Sequence, residues 1–360
     1  MAGRDLSIII PVYNEAGNIA PMLAELTRAL AGVDWEVLFV DDNSPDGTGD
    51  VVHRIARQDD RVRLISRLKE RGLAPAVIQG MLSARAELLV VMDGDGQHPA
   101  AAIHDLLPPL REGRADLVSA ARQFETGQTV QVLGRLRNAL SKTGIRACRM
   151  LLRRPIIDPL TGFFAMRRDA FMRVAPRLGD PGFKILLDLL ATDRNLRHQE
   201  VPFRFGTRKH GESKLGFFVL WQFLVFLIGR ALGGFMPPAF LSFLLIGLSG
   251  VVVHFTVLTL LLASQFSFTA AHLVAILAAT TSNFLLNNTL TFTEYRLRGT
   301  PLLTGYFGYL AVASVGIVAS VGIATTIYEH VLHLVLPATF AGIAIDTVWK
   351  YAMSKRLIWR

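Results

Sequence analysis

Two hydrophobic patterns divide the chain. Between residues 6 and 120, apolar runs of four to seven residues (6–12, 35–40, 62–65, 88–92 and 117–120) alternate with segments of helical spacing at 18–30, 47–57 and 74–85. Short apolar runs separated by helices predict a mostly parallel sheet with right-handed crossovers, an α/β, Rossmann-like head. From residue 238 the alternation stops. Four long apolar stretches follow, at about 238–263, 270–292, 302–327 and 334–353. A helix rises 1.5 Å per residue, so about 20 apolar residues cross the hydrocarbon core of a bilayer. The tail is therefore expected to be an all-α domain of four transmembrane helices. Between the two patterns lies 214–234. Its apolar core, 216–229, is bracketed by Lys214 and Arg230, interrupted by Gln222 and carries Trp221. Fourteen residues make a helix of about 21 Å, too short to span, which predicts a juxtamembrane helix lying in the interface. The expected domains are 1–213, 214–234 and 235–360.

Charge sharpens this division. Of 67 charged side chains in 360 residues, 9 lie in residues 233–360 and none in 231–293. That distribution excludes a wholly soluble protein and a disordered tail, and the net charge of +9 does not by itself indicate a nucleic-acid binder. The single cysteine, Cys148, excludes an intramolecular disulfide framework. Arg296 and Arg298 fall between the second and third spans, and Lys350, Lys355, Arg356 and Arg360 cluster at the end of the fourth. The loops at 264–269 and 328–333 carry no Lys or Arg. The positive-inside rule then predicts that the head and both termini are cytoplasmic, and the expected location is the plasma (inner) membrane, as a multi-pass protein. The start of the chain, which lacks a signal-peptide cleavage pattern, fits that expectation. Within the spans, Asn283, Asn287, Asn288 and the Asp346/Lys350 pair are read as interhelical hydrogen bonds and an i,i+4 ion pair in preference to a polar path or a lipid-headgroup site. His254 is read as a packed residue.

Polar clusters follow three of the expected strands: Tyr13-Asn14-Glu15, Asp41-Asp42-Asn43-Ser44 and Asp93-Gly94-Asp95-Gly96-Gln97. In a parallel sheet ligands bind beyond the carboxyl ends of the strands, so three clusters at one edge suggest one site. No glycine-rich nucleotide fingerprint is present, neither G-x-G-x-x-G after the first strand nor G-x-x-x-x-G-K-[ST]. Phosphates must be held otherwise. Asp93 and Asp95 leave a strand at positions i and i+2 and point the same way, a spacing that can hold a hard divalent ion gripping a diphosphate.

Six segments, SIIIPVYNE (7–15), FVDDNSPDGT (39–48), VVMDGDGQHP (90–99), DPLTGFFAMRR (158–168), GFKILLDLL (182–190) and RKHGESKLG (208–216), together resemble the polyprenol-phosphate mannose synthases. These are inverting family 2 glycosyltransferases of the GT-A fold. The tail resembles the GtrA-type four-helix domain, through SNFLLNNTLTF (282–292) and the basic end WKYAMSKRLIWR. The resemblance implies that Pro11, Tyr13, Glu15, Val40 and Asp42 hold the nucleoside, that Asp93, Gly94, Asp95 and Gln97 also belong to the nucleotide-sugar site, and that Asp93, Asp95 and Gln97 surround Mg²⁺ or Mn²⁺. Arg208, implied as catalytic together with Asp93 and Asp95, would contact the donor's phosphates or sugar with Lys184 and Lys214. Arg122, Arg137 and Ser141 match the region that receives the lipid phosphate, although VSAARQF departs from the commoner Ser-Arg-Tyr there. His98, Asp158 and Asp188 are read as structural or supporting groups, with contact to the sugar kept open for Asp188. The basic segment 132–154 has two readings, attraction of anionic lipid headgroups and acceptor, or a solvated helix face.

The implied reaction transfers a hexose, with mannose from GDP-mannose foremost, to polyprenyl (dolichyl-type) phosphate with inversion. Its partners are the nucleotide sugar, the lipid phosphate and the bilayer, and no nucleic acid. A phosphate nucleophile is already anionic at neutral pH, so the chemistry needs stabilisation of the leaving group and positioning. The alternatives are a UDP-glucose or other UDP-sugar transferase acting on the same lipid, and a glycolipid flippase with a nucleotide-sugar-binding head.

Overall fold

The computed structural model describes residues 4–68, 72–122, 149, 152, 154–159, 161–178, 185–203, 217–327 and 335–359. The chain divides into two compact units, one of Met1–Gly216 with Phe226–Gly234, the other of Phe217–Val225 with Phe235–Arg360.

The head is built on a seven-stranded sheet of β1 (Leu6–Val12), β2 (Trp35–Asp41), β3 (Val62–Ser66), β4 (Leu88–Val91), β5 (Leu117–Arg122), β6 (Phe164–Arg167) and β7 (His198–Phe203). Their order is β3-β2-β1-β4-β6-β5-β7. All pairings are parallel except those of β6, which runs antiparallel to both β4 and β5. Helices α1 (Ala16–Ala29), α2 (Thr48–Ala56), α3 (Leu73–Ser83), α4 (Ile103–Leu106) and α5 (Pro108–Arg111) lie along the crossovers. Then α6 (Arg168–Val174) follows β6, and α7 (Ile185–Thr192) precedes β7. Every residue of β1 and β2 is buried, as expected of central strands covered on both faces.

Two polar residues in those strands are register partners, Ser7 and Glu36. Ser7 Oγ donates to Glu36 Oε1 at 2.7 Å, Arg63 Nη1 to Glu36 Oε2 at 2.9 Å, and the Arg85 N–H to Glu36 Oε1 at 2.7 Å. Burial pushes the Glu36 carboxyl up, but these hydrogen bonds outweigh it and hold the group below its ordinary value. A charge inside the sheet is thus satisfied on both oxygens.

Helix α8 (Phe217–Ala231) is followed by α9 (Pro238–Ala263), α10 (Phe268–Leu286), α11 (Thr300–Ile327) and α12 (Val335–Leu357). Residues Pro238–Ala263 and Phe268–Thr291 are long and apolar enough to cross a membrane. They leave Val252, Phe255, Leu260 and Leu273 exposed, as lipid-facing helices do. Where α10 ends, a π-helical turn, Asn287–Thr291, re-aims its side chains. Asn288 Oδ1 accepts from the Leu297 N–H at 2.8 Å and from Trp359 Nε1 at 3.0 Å. The Trp359 ring stacks on Phe292 with centroids 4.4 Å apart. The two tail segments that carried the resemblance therefore meet in one buried aromatic cluster. Lys350 and Asp346 form the i,i+4 ion pair at 2.6 Å. Close crossings depend on glycine: a Cβ on Gly250 would lie 2.5 Å from the Asn283 amide, and one on Gly316 would overlap the Asp346 carboxylate. His254 lies against the rings of Phe255 and His272.

Candidate active site

The order of the sheet puts a switch point beside β1. From it the chain steps one way to β2 and β3, and the other way to β4. In open α/β sheets the crevice beyond the carboxyl ends at such a point receives the ligand. The three polar clusters stand there.

The loops after β1 and β2 are tied together. The Asn14 N–H donates to Ser44 Oγ at 3.0 Å, the Glu15 N–H to Thr48 Oγ1 at 3.0 Å, and the Ala16 N–H to Asp46 Oδ2 at 3.1 Å. Asn14 and Asn43 take up the left-handed conformation that asparagine tolerates in tight turns. Asp41 accepts from the Ser44 hydroxyl and so closes its own loop. Pro11 and Val40 are register partners, both buried at the strand ends. Tyr13 is 45% exposed directly beyond them, an aromatic face at the mouth of the crevice.

Asp42 is nearly buried. Arg67 Nη1 lies 2.6 Å from its Oδ1, and the Gly72 N–H donates to its Oδ2 at 2.7 Å. Burial, the largest influence, holds the Asp42 carboxyl above its ordinary value despite these partners. Arg67, the partner of Asp42, is a residue that the sequence reading did not single out. Its one signal was a cation two residues beyond the third apolar run.

The third cluster follows β4. Gly94 packs against β1, where a Cβ would lie 3.0 Å from the Pro11 carbonyl oxygen. Asp93, Asp95 and Gln97 are half-buried. The Gln97 N–H donates to Asp95 Oδ1 at 3.1 Å, and the Asp93 N–H to His98 Nδ1 at 3.2 Å. His98 is buried, with its ring stacked on Phe163 at 5.0 Å and tilted against Phe203 at 5.9 Å. Gly162 closes on Asp93 from the segment before β6, where a Cβ would fall 2.5 and 2.7 Å from the two carboxylate oxygens. Asp158 lies in the same segment, beside the contact that Glu200 makes with the Ile157 N–H at 2.8 Å.

Among the described residues no group of three or more His, Cys, Asp or Glu side chains is gathered as a metal cage. The donor set is two carboxylates and an amide, all hard oxygen ligands. It suits an ion that keeps water and substrate phosphate oxygens in its shell, as Mg²⁺ does, and so the residues fit the expected cation. Asp188 engages Arg230 Nη2 at 2.9 Å, and the same nitrogen reaches Thr192 Oγ1 at 3.0 Å. Arg122 ends β5 in register with Phe203. The expected Lys184, Arg208, Lys214, Arg137 and Ser141 lie outside the described residues.

Comparison with known proteins shows the family. Residues 7–175 match the family described as Glycosyl transferase family 2, and residues 242–359 match the GtrA/DPMS transmembrane domain. The dolichol-phosphate mannosyltransferase of Pyrococcus furiosus is 31% identical over 356 residues, covering 98% of this chain and 99% of that protein. The Saccharomyces cerevisiae protein of the same name is 37% identical over 235 residues, 61% of this chain and 84% of its own length. Among solved structures, glucosyl-3-phosphoglycerate synthase from Mycobacterium tuberculosis is similar over 64% of this chain and 80% of that one, at 23% identity and a TM-score of 0.48. With a family 2 head, a GtrA/DPMS membrane domain and a relative matched from end to end, the chain belongs to the dolichol-phosphate mannosyltransferases, a family of membrane glycosyltransferases.

Proposed function

We propose that the chain transfers mannose from GDP-mannose to a polyprenyl phosphate, inverting the anomeric carbon and leaving the product on the cytoplasmic face of the membrane. The end-to-end match to a protein named dolichol-phosphate mannosyltransferase carries this reading. The paired Asp93 and Asp95 beyond β4, at the switch point of the sheet, support it as the carboxylates that would hold a divalent ion.

An acceptor phosphate oxygen attacks C1 of the sugar. The new O–C1 bond forms as the bond from C1 to the diphosphate breaks, and the nucleoside diphosphate departs with the electron pair. No general base is needed, because the attacking oxygen is already ionised. Two anionic groups must instead approach each other in a cleft of reduced dielectric, where their repulsion is several-fold stronger than in water. Asp93, Asp95 and Gln97 would hold Mg²⁺ or Mn²⁺, which neutralises charge on the departing diphosphate. Arg208, Lys184 and Lys214 add positive charge at the donor's phosphates. Arg122, Arg137 and Ser141 receive the acceptor phosphate, for which the planar guanidinium offers paired hydrogen bonds. Pro11, Tyr13, Glu15, Val40 and Asp42 line the nucleoside side. Four membrane spans with cytoplasmic ends would keep this head beside an acceptor that stays in the bilayer.

The test is a partition assay. Membranes containing the protein are incubated with labelled GDP-mannose or UDP-glucose, with and without EDTA, and then extracted with organic solvent. Label entering the organic phase from GDP-mannose alone, and only with divalent cation, is the expected result. Label from UDP-glucose alone would replace the donor. Transfer unaffected by EDTA would remove the metal from the mechanism.

A further inference from the structure

The Asp93 carboxylate leaves β4 into a setting built mainly by residues distant in sequence. Gly162 stands so close that a methyl group there would overlap both carboxylate oxygens. Phe163, its chain neighbour, forms the stacking floor for His98. Nδ1 of His98 accepts the Asp93 N–H. Phe203 of β7 closes on the other two rings, with its centroid 5.9 Å from His98 and 5.8 Å from Phe163. The same strand contributes Glu200, whose carboxylate accepts the Ile157 N–H at 3.0 and 2.8 Å and the Asp158 N–H at 3.1 Å. Glu200 thereby pins the start of the segment that ends in Gly162 and Phe163.

The geometry points to His98 and Gly162 as positioning residues for Asp93, held in place by the Glu200 clamp and the Phe163–Phe203 pair. They act on opposite ends of one residue. His98 fixes the backbone of Asp93 through its N–H, and Gly162 sets where the carboxylate can lie by leaving it the space of a missing side chain. A metal ligand oriented in this way binds its ion without first losing rotamer freedom. Partners of this kind, one shell out from the ion, are worth about 10- to 100-fold in metal affinity. This assignment rests on the reading of Asp93 and Asp95 as the metal carboxylates.

Three substitutions separate positioning from folding. In His98→Phe the ring still stacks on Phe163 but the acceptor is gone. In His98→Asn the amide oxygen stands near the position of Nδ1, so the acceptor returns without the stack. In Gly162→Ala the three atoms nearest the new methyl all belong to the Asp93 carboxylate, the end of a movable side chain, so the fold gives way cheaply while that carboxylate is displaced. Mn²⁺ binding is read by electron paramagnetic resonance on the full-length protein in detergent, with GDP present, and thermal unfolding is followed in parallel. Gly162→Ala and His98→Phe are expected to weaken Mn²⁺ by about 10-fold or more, with Gly162→Ala melting within a few degrees of the parent. His98→Asn is expected to keep Mn²⁺ affinity within about 3-fold of the parent while melting lower. Asp95→Ala is the control for the underlying reading. If the parent binds Mn²⁺ no better than Asp95→Ala, the metal assignment itself is wrong. If Asp95→Ala loses the ion but Gly162→Ala and His98→Phe bind it like the parent, positioning is refuted and the metal site stands. Loss of affinity in His98→Asn equal to that in His98→Phe would also overturn the role of Nδ1. Should His98→Phe fail to fold, Gly162→Ala decides the matter alone.

Discussion

Replacing Arg67 by methionine tests whether the crevice is held by a buried ion pair. The Arg67 side chain is 3% exposed and that of Asp42 is 11% exposed, with 2.6 Å between nitrogen and oxygen. Methionine keeps much of the aliphatic volume and removes the charge, leaving Asp42 with the Gly72 N–H as its remaining described partner. Breaking a buried pair from one side costs about 3–5 kcal/mol, because the remaining charge is stranded away from water. On a head of this size that corresponds to a fall in melting temperature of roughly 6–20 °C. A pH dependence follows with a definite sign. Burial already holds the Asp42 carboxyl above its ordinary value, and losing the cation pushes it further up. The folded state then binds a proton more readily than the unfolded state, so stability falls as pH rises from the ordinary carboxylate range through the raised value. The penalty of Arg67→Met should therefore be smaller near pH 5 than near pH 7.5. The double variant Asp42→Asn/Arg67→Met removes both charges and should recover at least half the loss. Thermal unfolding of the purified protein in detergent at the two pH values measures all of this. A single variant within about 2 °C of the parent at pH 7.5, or a double variant no better than the single one, would refute the reasoning.

Other residues give sharper or smaller effects. Glu36→Ala removes the acceptor of Ser7, Arg63 and the Arg85 N–H, and should cost about 3–5 kcal/mol in chemical denaturation. Because the Glu36 carboxyl is depressed in the folded state, its contribution is present above the unfolded value near 4.5 and fades below it, so Glu36→Ala and parent should converge in acid. Asn288→Ala strands the Leu297 N–H and the Trp359 indole, at about 1–3 kcal/mol for each group left unsatisfied, seen as a lower melting temperature in detergent. Trp359→Phe should keep the stack on Phe292 and lose about 1 kcal/mol. Arg137→Ala should raise the KM for lipid phosphate several-fold while leaving the KM for the sugar nucleotide nearly unchanged; equal effects on both would remove Arg137 from the acceptor side.

The strands legible in the sequence carry continuous or nearly continuous apolar runs; β1, β2 and β4 are buried almost throughout, whereas the edge strand β3 is mostly half-buried. Continuous apolar runs such as Ile8–Ile9–Ile10 and Leu38–Phe39–Val40 need no partner to be recognised, and β1 to β5 fall where those runs lie. β6 and β7 were missed. The first has four residues, and the second, HQEVPF, is mostly half-buried and mixes polar with apolar positions. Those two strands bring up the outer wall of the site, and so Gly162, Glu200 and the His98 stack stayed out of reach of local pattern.

The sequence by itself determined the two environments of the chain and the acidic ends of three strands. Hydrophobic period, span length and charge distribution are local quantities. Only the tertiary structure decided what surrounds each carboxylate. Asp42 and Asp93 look equivalent as letters, each following an apolar run by one residue or two. In the fold one carboxylate is closed by Arg67 and the Gly72 N–H, while the other faces the space left by Gly162. Asp188, read from its motif as a supporting group with contact to the sugar kept open, meets an arginine 42 residues further along. Such partners are distant in sequence, and their meeting depends on strand order, which no local spacing encodes.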